Sequence, residues 1–273
     1  MQTRRTTPPV WLRGLVFVYL GLLIAGPVAL VVLNAFSDGV GAFWAAITRP
    51  DALHALGLTL LIAAIVVPLN TVFGVLCALL LARSSSPAGR VISAVGNLPF
   101  ALSPVVIGLA LLLAYGARGW FGPLLQSAGI QVMFALPGLI IATIFVTLPF
   151  VVREVEPVLR EIGTDQEQAA FTLGASPVQV FWRITMPSIR HAVGYGVVLT
   201  VARAVGEFGA VSVVSGHLAG RTETLTQYVD TRYLAFDLTG AYATSMVLGA
   251  MAVLTLCGMN ALRRTVSGDD SAS

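Results

Sequence analysis

Polar and apolar positions alternate along this chain in long blocks. Six stretches come close to or exceed the roughly 20 apolar residues that a helix needs to cross a hydrocarbon core of about 30 Å. They are Trp11–Leu33, Ala55–Ala82, Val91–Tyr115, Met133–Val152, Ala192–Ser215 and Gly240–Leu262. The pattern predicts an all-α membrane protein with six transmembrane helices. The first stretch follows Arg4, Arg5 and Arg13 and precedes a faint cleavage-like Leu33-Asn34-Ala35. Its apolar run is longer than the roughly 7–15 residues of a signal-peptide core, so it is expected to remain as the first span. The chain then divides into a first helix with its following loop (1–54), a main helical domain (55–262) that includes a polar loop at 153–190, and a short polar tail (263–273).

Composition points the same way. Hydrophobic residues make up 56% of the chain and charged residues 11%, against about a quarter charged in a typical soluble domain. The net charge is +3, carried by 16 arginines and no lysine. With alternating spans, eleven of these arginines fall on the side of the N-terminus: Arg4, Arg5, Arg13, Arg83, Arg90, Arg153, Arg160, Arg183, Arg190, Arg263 and Arg264. Four (Arg49, Arg118, Arg221, Arg232) fall on the other side, and Arg203 lies inside a span. The positive-inside rule therefore predicts both termini in the cytoplasm. Single arginines between apolar runs do not build a nucleic-acid surface, and without lysine the chain has no phosphate-cradling loop ending in Lys-Ser/Thr. Cys77 and Cys257 sit in apolar runs without metal-ligand spacing. His54, His191 and His217 are far apart, and neither a His-Glu-x-x-His nor a Gly-x-Ser-x-Gly motif occurs. Zinc and serine catalysis are not indicated, and no cofactor is expected on this chain.

Pro68, Asn70, Asn97, Pro99, Pro104 and Pro149 interrupt the apolar spans. In lipid, backbone groups freed by a proline must find partners on neighbouring helices, which favours a packed bundle over independent anchors.

The loop from Arg153 to Arg190 holds nine of the 29 charges and is longer than a bundle connection requires. Thr164-Asp165-Gln166-Glu167 reads as a capping box opening a helix, and Gly174 as its left-handed stop. Ser176-Pro177-Val178-Gln179 reads as a second start, and Pro187 as a second stop. The prediction is two short helices around a tight turn at Gly174-Ala175. The first offers Ala169, Ala170 and Phe171, the second Val178, Phe181 and Ile184. A small apolar knob held out in water indicates a partner protein.

These residues carry a resemblance. Gln168-Ala169-Ala170, three residues, Gly174, nine residues and Ile184-Thr185-Met186-Pro187 resemble the EAA loop of importer permeases of the ATP-binding-cassette superfamily, with Gln168 where that family has Glu and Met186 where it has Leu. The wider similarity is to sulfate/thiosulfate permeases of the CysW type. It runs through Leu98–Pro104, Thr147–Leu159, Ala202–Gly216 and Thr222–Leu225. Molybdate permeases share the Arg-Ala-x-Gly-Glu-Phe-Gly core at Arg203–Gly209, whereas the continuation Ala210–Gly216 favours sulfate. The resemblance implies a type I importer permease fold in the bacterial cell membrane. It also implies coupling through Thr164, Glu167, Gln168, Ala169, Ala170, Gly174, Ile184 and Pro187 to separate ATPase subunits that hold ATP-Mg. The other partners it implies are a second permease of the CysT type and a periplasmic or lipid-anchored sulfate/thiosulfate-binding protein. A molybdate or tungstate permease, or a gradient-driven anion transporter, is the alternative.

Arg203 stands about 11 residues into the fifth span, roughly 17 Å of helix rise. Glu207 is one turn further on. The two are placed to pair, and most intramembrane charges are paired. The competing role for Arg203 is assisting a dianion through the pore. Gly206 and Gly209 would permit close helix contact or hinge motion, and Ser212 and Ser215 would supply hydroxyls to a path.

Overall fold

The structure, a computed structural model, describes residues 10–83, 96 and 98–269. Asn97 and Arg90, singled out above, lie outside them. Every regular element among the described residues is helical. Among the described residues four helices are long and apolar enough to cross a membrane: α1 (Val10–Ala35), α3 (Pro50–Arg83), α6 (Leu136–Ile162) and α12 (Leu238–Asp269). Between α1 and α3 lies an unanticipated short helix, α2 (Val40–Ile47), which buries Phe43 and Ala46. Two predicted spans depart from a simple rod.

The predicted third span is broken. A helical turn at residues 98–101 stops before Ser103, whose extended backbone (φ −63°, ψ 138°) leads into Pro104 at the start of α4 (Pro104–Tyr115). A proline disfavours the helical conformation in the residue before it, and the apolar pattern continues across that break without revealing it. At 12 residues α4 is too short to span alone. It leads to α5 (Gly122–Ser127).

The predicted fifth span is bent. It comprises α9 (Met186–Val205) and α10 (Gly209–Ser215), and their axes diverge by 51° across Gly206-Glu207-Phe208. Gly209 serves close contact here, since a Cβ on it would lie 2.9 Å from Pro104 Cβ; likewise one on Gly108 would lie 2.7 Å from the Ala210 carbonyl oxygen. α4 and α10 thus cross at two small residues, the device membrane helices use to approach closely. Gly206 ends α9 with an ordinary negative φ of −89°.

The centre of the bundle is the packing of α3, α6 and α9. One core cluster joins Val75, Ala78 and Leu81 of α3 to Val151, Val152, Val155 and Leu159 of α6 and to Ile189, Ala192 and Val193 of α9. Val151 sits at the crossing: a Cβ on Gly74 would lie 2.7 Å from its Cβ, and one on Gly196 2.9 Å from its Cα. Asn70, fully buried in α3, donates to Thr147 Oγ1 (2.6 Å) and to the Ile144 carbonyl (3.3 Å), within the α6 turns just before Pro149. This is the interhelical polar bonding that proline-containing spans were expected to need. A second cluster carries the core toward the other end through Leu58, Ile62, Ile107, Leu139, Val146 and Val211.

At that other end, α11 (Leu225–Leu234) packs against the start of α3, with Val247, Leu248 and Met251 of α12 against the same cluster. Arg49 bonds Asp237, Arg232 reaches Asp51 at 3.5 Å and lies 4.7 Å above the Tyr228 ring, and Thr239 bonds Asp38. Burial alone would raise the Asp237 pKa. The Arg49 bond, the Gly240 amide and the charges of Arg49 and Arg232 outweigh it and hold the carboxyl below its ordinary value.

Candidate coupling loop and intramembrane ion pair

The segment expected to be loop is mostly helix. α6 runs ten residues past Val152, to Ile162, where Gly163 (φ +71°) ends it. Its charged extension stays helical because Val151, Val155 and Leu159 keep one buried face while Glu156 and Arg160 pair at 2.9 Å on another. After Gly163 comes α7 (Asp165–Thr172), then the Gly174 turn, then α8 (Pro177–Val180).

The Gly174 expectation holds. Its φ is +84°; its N–H donates to the Phe171 carbonyl and that of Ala175 to the Ala170 carbonyl, both at 3.0 Å. Those two bonds form a Schellman stop, which needs the left-handed conformation that glycine adopts without strain. The second start also holds: Ser176 and Gln179 form a reciprocal capping box, with Pro177 first in the helix.

Two details are corrected. Pro187 does not end the second helix: from Pro177 the chain stays helical to Val205, passing through a π-turn at Phe181–Thr185. In that wider turn Met186 N–H reaches back to the Phe181 carbonyl, so the ladder is already displaced where the proline enters and lacks its donor. The second helix of the knob is therefore the near end of the bent span. Nor does Thr164 cap α7 with Glu167. Thr164 has φ −119° and ψ −1°, away from the extended form of an N-cap, and its hydroxyl accepts from the Gln168 side chain at 2.9 Å. Glu167 Oε1 instead accepts from Arg83 Nη2 and from Thr185 Oγ1, each at 2.8 Å. The charge-assisted bond is the stronger option for a carboxylate. Neither Arg83 nor Thr185 carried a sequence signal for this pairing.

α7 buries none of its side chains. Ala169 is exposed and Ala170 half-buried, Ile184 is half-buried, and Pro187 is exposed. The apolar surface of the knob is larger than the pattern indicated: besides Phe171 (48% exposed) and Val178 (67%), it includes Leu173 (88%) and Trp182 (62%). Sequence reasoning passed over both. Leu173 adjoins the glycine stop, and Trp182 stands one turn after Val178.

At the bend of the fifth span, Arg203 Nη2 lies 2.7 Å from Glu207 Oε2, with side-chain exposures of 32% and 1%. Glu207 Oε1 accepts from the Ala210 N–H at 2.9 Å, at the start of α10, and Thr226 Oγ1 donates to the Glu207 carbonyl at 2.8 Å. The carboxylate thus joins the last turn of α9 to the first turn of α10 across the break. Ser212 donates to the Gly209 carbonyl at 2.8 Å and is half-buried. Ser215, expected to line a path, is fully buried and occupied: its Oγ accepts from Gln227 Nε2 (2.6 Å) and the His217 N–H (3.1 Å). Gln227 Oε1 in turn accepts from the Thr224 N–H at 2.9 Å. The sequence signal for this network is the Thr-x-x-Gln spacing of Thr224 and Gln227.

The chain thus combines a bent apolar helix, braced at its break by an ion pair, with a two-helix knob that has an apolar surface. Residues 71–267 match the family of binding-protein-dependent transport system inner membrane components. The sulfate transport system permease protein CysW of Synechococcus elongatus is 49% identical over 248 residues, covering 91% of this chain and 87% of the relative. The chain belongs to this permease family. A sulfate transport system permease protein CysT from Salmonella typhimurium is 35% identical over 96% of the permease and 95% of its own length. Among solved structures, a bacterial alginate ABC transporter in complex with an alginate pentasaccharide-bound periplasmic protein has a chain that superposes with a TM-score of 0.74. It is 17% identical and covers 92% of each chain, so it supports the permease's fold.

Proposed function

We propose that the permease is one of two membrane subunits of an ATP-driven importer that carries sulfate, and thiosulfate with it, across the bacterial cell membrane. In this reading all six predicted spans cross the bilayer, the bent and broken ones included, and both termini and the Gly174 knob lie in the cytoplasm. ATPase subunits dock on the knob, a CysT-type permease completes the path, and an external binding protein delivers the anion at the end where α11 packs. ATP-Mg is held and hydrolysed in the ATPase.

The observation that carries the coupling role is the exposed apolar knob. A soluble protrusion holding Leu173 at 88% and Phe171 at 48% exposure gains nothing from those side chains unless another protein covers them. Sulfate is preferred to molybdate because the two relatives named above, each matched over nine-tenths or more of the chain, are sulfate transport permeases. The cargo is tested by uptake of labelled sulfate into cells carrying the full transporter, in competition with thiosulfate, molybdate and tungstate. Thiosulfate is expected to compete best; molybdate competing better than thiosulfate would overturn the cargo assignment.

A further inference from the structure

Glu167 is the polar fastening of a helix that has little else to hold it. An isolated eight-residue helix is marginal in water, and α7 buries no side chain of its own. The Glu167 side chain is 17% exposed, and its carboxylate accepts from two other elements. Arg83 is the last residue of α3, and Thr185 is the last residue of the π-turn that runs directly into α9.

The α3 end is in turn locked to the α6 end. Arg83 Nη1 donates to the Leu159 carbonyl at 3.3 Å, and Arg160 Nη2 donates to the Leu81 carbonyl at 2.8 Å. One carboxylate oxygen therefore links α7 to three spans: α3 through Arg83, α6 through the Arg83–Arg160 crossover, and α9 through Thr185. The far end of α9 is the bend braced by Arg203 and Glu207.

We propose that Glu167 is a transmission clamp: it makes α7, the ends of α3 and α6, and the π-turn move as one body, so that displacement of α7 reaches the bent span. The clamp rests on the reading of the knob as the ATPase-coupling element. Glu167 acts through Arg83 and Thr185 and is a positioning residue, while the apolar surface makes the docking contact. Removing the clamp leaves the ATPase bound and turning over while its motion is lost at the Gly163 and Gly174 turns.

The test uses the whole transporter, both permeases with the ATPase, in proteoliposomes supplied with the binding protein, and reads sulfate imported per ATP hydrolysed. Arg83→Met and Glu167→Ala are expected to retain the ATPase on copurification and to lower that ratio at least fivefold. Thr185→Val, which removes one tie without a charge change, is expected to lower it about twofold. The exchanged pair Arg83→Glu with Glu167→Arg restores the ion pair but not the Arg83 bond to the Leu159 carbonyl, and is expected to recover part of the wild-type ratio, at least twofold above either single variant. A ratio unchanged in Arg83→Met, no recovery in the exchanged pair, or loss of the ATPase on copurification in the Glu167 variant would each overturn the clamp. A wild-type transporter without ATP-dependent uptake would overturn the coupling reading itself, and the clamp with it.

Discussion

Replacing Arg203 by methionine keeps an unbranched apolar stem but removes the guanidinium and its charge, leaving the Glu207 carboxylate, 1% exposed, with the Ala210 N–H as its remaining named partner. Removing one partner of a buried pair costs about 3–5 kcal/mol. The lower end applies here, about 3 kcal/mol, because the Ala210 N–H still bonds the carboxylate. Glu207→Gln is a milder change. The amide oxygen can still accept from Ala210 and can also accept from the Arg203 guanidinium, so the cost should be about 1 kcal/mol, a hydrogen bond's worth. The Arg203→Met/Glu207→Gln double variant leaves no unpaired charge and should lie near the milder single, which gives a coupling energy of about 3 kcal/mol between the sites. The assay is equilibrium unfolding of the four proteins in mixed micelles. If Arg203→Met is no more costly than Glu207→Gln, or the double variant is no more stable than Arg203→Met, the pair does not brace the bend. Sulfate uptake by a stable double variant then separates the two roles of Arg203: uptake preserved assigns it to the bend, and uptake abolished assigns it to the anion path.

Further outcomes follow from the knob and from the opposite end of the bundle. Gly174→Leu forces a side chain into φ +84° with open space around it, a local strain of about 1–2 kcal/mol. It should leave the protein inserted while uncoupling ATP hydrolysis from uptake, measured as sulfate moved per ATP; normal coupling would contradict the role of the turn. At the other end, Asp237 has its pKa depressed by Arg49 after burial is offset, so its contribution to stability is present above the unfolded carboxyl pKa of about 3.9 and is lost as pH falls through the lower folded value. Between pH 6 and 3 the wild-type unfolding temperature should therefore fall more steeply than that of Asp237→Asn; parallel profiles would show that the clasp is not the acid-sensitive element.

The apolar pattern located four spans well because each buries or exposes an unbroken helix, as α3 and α6 do. It was blind at Ser103-Pro104 and Gly206–Phe208, where hydropathy continues but the helix axis does not. Local cap chemistry was legible wherever the partner lay within three residues, as at Ser176–Gln179 and Gly174. It failed at Thr164, since the competitor for Glu167 was Arg83, 84 positions away. Pro187 misled for a related reason: the rule that proline ends a helix assumes an α-ladder ahead of it, and the π-turn at Phe181–Thr185 removes that condition. The Arg203–Glu207 pair was readable from its spacing, whereas the link from Glu207 to Ala210 depended on a bend that the sequence pattern did not show.

The most direct test of the account is ATP-dependent import by the assembled transporter. Proteoliposomes or cells containing this permease, its partner permease, the binding protein and the ATPase should accumulate labelled sulfate only when the ATPase is present and competent to hydrolyse ATP. Accumulation that persists at the same rate after deletion of the ATPase would contradict the central claim and make the permease a gradient-driven transporter.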